Sequence, residues 1–193
     1  MKPHQTIETY VSVDMEADGP VPVINSMLSL GAYAFTADGL ELGTFEANLR
    51  PLPQAQQDPD TMTWWGTQPD AWAYLQDNQQ DPQLVMERFN AWVRQLPQPV
   101  AFVAFPVAFD FAWVNAYFHM FGIDNPFGYQ GIDIKSYGMA LLGRQFRYMN
   151  SDSWPKHWRP TNPFPHRALD DAYEQGLQFR AMLGDRARQG RVT

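Results

Sequence analysis

Short apolar runs alternate with polar ones over most of this chain, and their periods divide it into strands and helices. Tyr10-Val11-Ser12-Val13-Asp14-Met15-Glu16 predicts a strand, rich in β-favouring residues and ending on acids, with Asp18-Gly19-Pro20 closing it. Ile24 to Phe35 predicts a second strand. Asp38-Gly39 is a hairpin signal leading to a third, Glu41 to Leu49. The first three strands therefore read as a meander. Pro69 to Asp77 reads as a short helix. A longer one opens at Asp81-Pro82, with Asp81 as cap and Pro82 in the first helical position; Val85, Phe89, Trp92, Val93 and Leu96 form its apolar stripe. Val100 to Phe105 is a continuous apolar run, as a strand buried on both faces requires. Ala108 to Phe121 predicts a helix ended by Gly122, Gly131 to Ile134 a fifth strand, and Lys135 to Leu142 a short helix. The last helix starts near Ala168, with Leu169, Ala172, Gly176, Phe179 and Leu183 along one face. Residues 1–183 are expected to form one domain, and 184–193 a frayed tail.

Composition narrows the class. The chain has 193 residues, 45% apolar and 18% charged, which suits a globular domain with its own core. No apolar run approaches the roughly 20 residues of a membrane span, and the first residues lead into a strand with no leader-like apolar stretch, so no membrane partner is expected. Cysteine is absent, which excludes disulfides and thiolate metal sites; a cytoplasmic location is the expectation. A net charge of −7 argues against gripping long duplexes through many phosphate contacts. It leaves room for an enzyme that holds a strand end through metal ions.

Three local patterns carry candidate chemistry. Asp14 and Glu16 sit two apart on a strand, so both side chains project to one face. Two carboxylates on one face repel unless a cation lies between them, and hard oxygen ligands suit Mg²⁺ or Mn²⁺; taken alone, the pair reads equally as a solvated strand end. Asp110 is the lone charge in the run from Ala101 to Trp113, where burying an unpaired carboxylate is costly. His166-Arg167-Ala168-Leu169-Asp170-Asp171 places a histidine just before a helix and two acids in its first turn. Those acids could equally stabilise the helix start.

Taken in order, Asp-x-Glu near the N-terminus, Phe-Asp after a buried strand and His-x-x-x-x-Asp before the last helix resemble the three motifs of the DEDDh family of 3′–5′ exonucleases. The resemblance spans residues 14–171. It implies an α/β, ribonuclease H-like fold: a mixed five-stranded sheet, its first three strands a meander, flanked by helices. It implies Asp14, Glu16, Asp110 and Asp171 as ligands of two Mg²⁺ or Mn²⁺ ions and His166 as general base; the family spacing selects Asp171 over Asp170. The expected reaction is release of nucleoside 5′-monophosphates from the 3′ end of a single strand, RNA first and DNA as the alternative. A catalytically inactive binding module is the further alternative. At Thr61-Met62-Thr63-Trp64-Trp65 the chain is similar to the small mycobacterial-type exoribonuclease and phage exonuclease branch, and a homodimer is expected by analogy with such enzymes. Two places depart from the family pattern. Phe105 and Pro106 stand where His-Asn often precedes Phe-Asp, and Ala17 stands where a threonine often follows the glutamate, removing a hydroxyl contact to the nucleotide.

The stretch from Gly143 to Pro165 has no clear periodicity and carries Arg144, Arg147, Lys156 and Arg159 against one acid, Asp152. Cations interleaved with aromatics are what single-strand binding uses, so Arg144, Arg147 and Arg159 are candidate substrate contacts. Trp64 and Trp65 are candidates for stacking a terminal base; the competing readings are that they anchor the helix Pro69 to Asp77 on the core or sit in a dimer interface.

Overall fold

A computed structural model of the chain describes residues 8–162 and 164–189. Its sheet has the order β3-β2-β1-β4-β5. Strands β1 (Thr9–Ala17), β2 (Met27–Thr36) and β3 (Glu41–Asn48) form the antiparallel meander; β4 (Val100–Ala104) and β5 (Gly131–Asp133) join parallel. The helices are α1 (Pro59–Trp65), α2 (Pro69–Gln76), α3 (Pro82–Gln95), α4 (Val107–Met120), α5 (Ile134–Leu142) and α6 (Ala168–Gln189). This is the mixed five-stranded sheet flanked by helices that the sequence predicts.

Each side of the sheet is closed by its own core. Val11, Val13, Leu30 and Ala32 face Val85, Phe89, Trp113 and Phe118 of α3 and α4. Tyr10, Tyr33, Phe35 and Val103 face Phe179 and Met182 of α6. Strand β2 lies between these layers and is buried at every position. The alternation along β1 sends Asp14 and Glu16 to the α6 side, because Val13 and Met15 take the other.

Two glycines set how closely α6 approaches. A methyl group on Gly31 would overlap the Ala168–Leu169 backbone at the start of the helix, and one on Gly176 would overlap the Tyr33 ring. Gly31 lies opposite Asp14 in the β1–β2 register. The first turn of α6 is thereby brought down beside Asp14. Further along, Arg180 donates to Gly39 O (2.9 Å) and to the Tyr33 hydroxyl (2.6 Å), fixing the helix along the meander.

Several boundaries differ from expectation for identifiable reasons. Strand β2 starts at Met27, not Ile24. The preceding residues form a turn in which Val21 N–H donates to Asn25 Oδ1 (2.9 Å) and Val23 has φ of 72°. Helix α1 is not among the predicted elements, although Asp58 and Pro59 repeat the Asp81-Pro82 start signature and Asp58 Oδ1 accepts from Thr61 N (2.8 Å). Helix α6 runs on past Leu183 through Gly184 to Gln189; Asp185 within it accepts from Trp158 Nε1 and pairs with His157 at 2.8 Å. Residues 190–193 lie outside the described ones. Three short 3₁₀ turns, Phe146–Tyr148, Ser151–Ser153 and Lys156–Trp158, order the stretch after α5. Among the described residues no helix is long and apolar enough to cross a membrane.

Candidate active site

At the C-terminal end of β1 the three motifs meet. A cleft of about 340 Å³ is lined by Asp14, Glu16, Asp110, His166 and Asp171, the five residues singled out in the sequence, with Phe105, Phe109 and Gln175 among its other walls. Donor atoms of Glu16, His166 and Asp171 come within 4.8 Å of one another.

Each side chain is positioned by local structure. Asp110 lies in the first turn of α4 and is 3% exposed. Its Oδ1 accepts from Met15 N–H (3.2 Å), tying the second motif to the first. Asp133 caps α5 by accepting from Ser136 N–H (2.6 Å) and also accepts from Val107 N–H (3.2 Å) at the start of α4. In α6, Asp171 Oδ2 accepts from His166 N–H (2.7 Å) and Oδ1 from Asn162 Nδ2 (2.6 Å). His166 has φ of 65°, a left-handed conformation rare outside glycine, and the bond to Asp171 holds it there. Its ring packs perpendicular to that of Trp64, 4.9 Å between centroids.

Crowded acids shift one another. Burial first, then repulsion from Asp110, Glu16 and Asp171, pushes Asp14 well above the ordinary carboxylate range. Burial and the charges of Asp171 and Asp110 raise Glu16 to about 8; burial raises Asp110 to about 7 and Asp171 to about 6. Burial pulls His166 below its usual value, favouring the neutral imidazole. None of the ion pairs among the described residues involves the four acids. Four carboxylates without a cationic side chain are a donor set that fits hard divalent ions.

Sequence reasoning missed two supporting amides. Gln175 donates from Nε2 to Asp14 Oδ1 (2.7 Å) and accepts from Phe105 N–H (2.9 Å), so one side chain ties α6, β1 and the end of β4 together. Asn162 does the same for Asp171. Gln175 stands four residues after Asp171, one turn along the same face, which was the available signal; Asn162 offered none.

The other candidates divide. Trp64 stands beside His166 and is 40% exposed. Trp65 is not a stacking platform: it is 2% exposed, packs with Leu28, Ala71 and Leu75, and donates from Nε1 to Ala17 O (2.9 Å). In the basic–aromatic stretch, Trp154 and Trp158 are buried in the α6-side core. Arg144 donates to Ser153 O, and Arg159 to Asp152 O and Trp154 O, so both guanidinium groups brace their own loop. Arg147 is exposed.

Known proteins sharpen the class. The nuclease domain of 3′hExo, described as a DEDDh family member and bound to rAMP, superposes with a TM-score of 0.66 over 96% of this chain and 94% of its own, at 14% identity. Escherichia coli Exonuclease I bound to a dA16 oligonucleotide gives 0.70 over 94% of this chain and 42% of its own, at 15% identity. The fold is thus that of ribonuclease H-like DEDDh exonucleases. Residues 9–183 match the model of the "3′-5′ exoribonuclease Rv2179c-like domain", and the chain belongs to that family. The 3′-5′ DNA exonuclease Cap18 of Escherichia coli is 33% identical over 176 residues, 90% of each chain. By family the chain is accordingly a 3′–5′ exonuclease.

Proposed function

We propose that the chain hydrolyses the terminal phosphodiester at the 3′ end of a single strand, with Asp14, Glu16, Asp110 and Asp171 holding two Mg²⁺ or Mn²⁺ ions and His166 as general base. The carrying observation is the convergence of these five side chains on one cleft with, among the described residues, no cationic side chain paired to the acids.

Divalent ions in such a site stabilise charge on the phosphoryl and leaving oxygens and ease deprotonation of the attacking water. The chain's own residues do the rest. His166, its pKa lowered by burial, takes the proton from the water as its oxygen attacks phosphorus. The bond from phosphorus to the 3′ oxygen breaks and that oxygen takes up a proton from solvent, leaving a shortened strand with a 3′ hydroxyl and a nucleoside 5′-monophosphate; His166 returns its proton to solvent. Asp171 orients the histidine through the histidine's backbone N–H, and the Trp64 ring packed perpendicular to the imidazole limits its rotation. Gln175 holds Asp14 while shaping the wall at Phe105.

The family's exoribonuclease description supports RNA as the first substrate. The Escherichia coli relative, named as a DNA exonuclease, supports DNA as the second reading. Matched 5′-labelled RNA and DNA oligonucleotides, digested with Mg²⁺, with Mn²⁺ or with EDTA, test both. A ladder shortening from the 3′ end, abolished by EDTA, is expected; undiminished turnover in EDTA refutes the assignment.

A further inference from the structure

A second cleft, of about 530 Å³, is walled in part by Pro165 and Arg167, the residues on either side of His166 in the chain. Its walls include Gln68, Pro69 and Asp70 at the start of α2, facing Phe164, Pro165 and Arg167. It is continuous with the active site in the chain on both sides: Arg167 follows His166 directly, and α2 follows α1, whose Trp64 touches the His166 ring.

Arg167 is the distinctive feature. Its guanidinium carbon lies 4.5 Å from the centroid of the Tyr74 ring and 4.7 Å from that of Phe164. Two aromatic rings hold the group while leaving its N–H donors for other partners. None of the ion pairs among the described residues includes it, although Asp70 lines the same cleft. Arg144 and Arg159, by contrast, are engaged by carbonyls of their own loop. Among the described residues Arg167 is therefore a cation without an ion-pair partner, one residue from His166, in a chain of net charge −7. Phe164, 51% exposed, adds a ring on the same wall.

Building on the nuclease reading above, we infer that this cleft binds the substrate strand on the 5′ side of the scissile bond. Arg167 contacts a backbone phosphate there and Phe164 stacks a base. The ligand class is a single-stranded oligonucleotide extending at least one phosphate beyond the bond that is cut. The site then measures strand length: longer strands gain a contact that the shortest substrates lack.

The test compares Arg167→Ala and Phe164→Ala with wild type on two kinds of substrate. One is the p-nitrophenyl ester of a nucleoside 5′-monophosphate, which carries the terminal nucleotide and no upstream strand. The other is a series of single-stranded oligonucleotides up to 20-mers. For Arg167→Ala the KM on a 20-mer should rise roughly ten- to a hundredfold, the loss expected for a hydrogen bond to a charged group. The log–log dependence of its KM on salt should flatten by about 0.7, one single-strand phosphate contact. Turnover of the ester should stay within about twofold. Arg167→Lys should recover part of the loss, and Phe164→Ala should raise KM on long strands alone. An equal penalty on ester and 20-mer, or none on either, overturns the cleft assignment. If the ester proves inert, the shortest oligonucleotide the wild type cuts takes its place, and a penalty that fails to grow with length overturns it equally. Failure of the nuclease reading is distinct: wild type would then cut neither substrate.

Discussion

Replacing Asp110 by asparagine should improve the stability of the metal-free protein while destroying its activity. Asp110 is 3% exposed, and burial raises its carboxyl to about 7 from an ordinary 3.8. A raised folded-state pKa means that the folded chain holds the proton more tightly than the unfolded one. The stability this contributes is fully present below about pH 4 and is lost as pH rises through about 7. Three units at ~1.4 kcal/mol each put the cost of ionising Asp110 at pH 8 near 4 kcal/mol, an upper bound. Asparagine removes that charge and keeps an acceptor for Met15 N–H. Its buried amide N–H groups return about 1–3 kcal/mol of the gain if they find no partner. The net is on the order of 1–3 kcal/mol, or about 2–10 °C in Tm for a chain of this size. Thermal unfolding in EDTA should show the variant melting higher than wild type at pH 8, with the gap much reduced at pH 5. Saturating Mn²⁺ should raise wild type more than the variant, because only the intact cluster binds it tightly. Turnover of a labelled oligonucleotide should fall to background. A variant less stable than wild type at pH 8 in EDTA, or a wild-type Tm that does not change between pH 5 and 8, would refute the reasoning.

Other outcomes follow from the same geometry. His166→Ala should lower kcat by ~10²–10⁴-fold with KM little changed, and parallel pH–rate profiles should show the mutant losing the inflection below the usual histidine pKa; an unaltered rate and inflection would make His166 a structural residue. Asp171→Asn should abolish turnover in a folded protein whereas Asp170→Asn, outside the cleft, leaves most of it; the reverse result would show the motif register to be wrong. Gly31→Ala should cost about 1–3 kcal/mol or more by forcing α6 away from β2, and should depress activity beyond its effect on Tm because Asp171 and Gln175 move with the helix. Melting curves together with kcat at a temperature well below both transitions check it.

Much of this molecule was legible from local rules. The alternation of β1 put Asp14 and Glu16 on one face, because side-chain direction in a strand has period two whatever surrounds it. The caps and prolines of α3 are likewise local, and the order of the three motifs pointed to the five residues that line the cleft. Local rules also failed where chemistry was ambiguous. Trp64 and Trp65 are adjacent and identical in type, yet a one-residue step on α1 turns one toward His166 and the other into the core beside Leu28. Arg144 and Arg159 looked like free cations because carbonyl partners from a folded loop are invisible in sequence. Gln175 and Asn162 became part of the site because tertiary packing brings α6 and the preceding segment against β1. Gly31 permits that approach: contact between residues 31 and 168 depends on interhelix and sheet geometry that no short window of sequence contains. Sequence specified which groups can do the chemistry; long-range packing decided which of them share a cavity, and so which carboxylates are forced to repel one another strongly enough to call for metal.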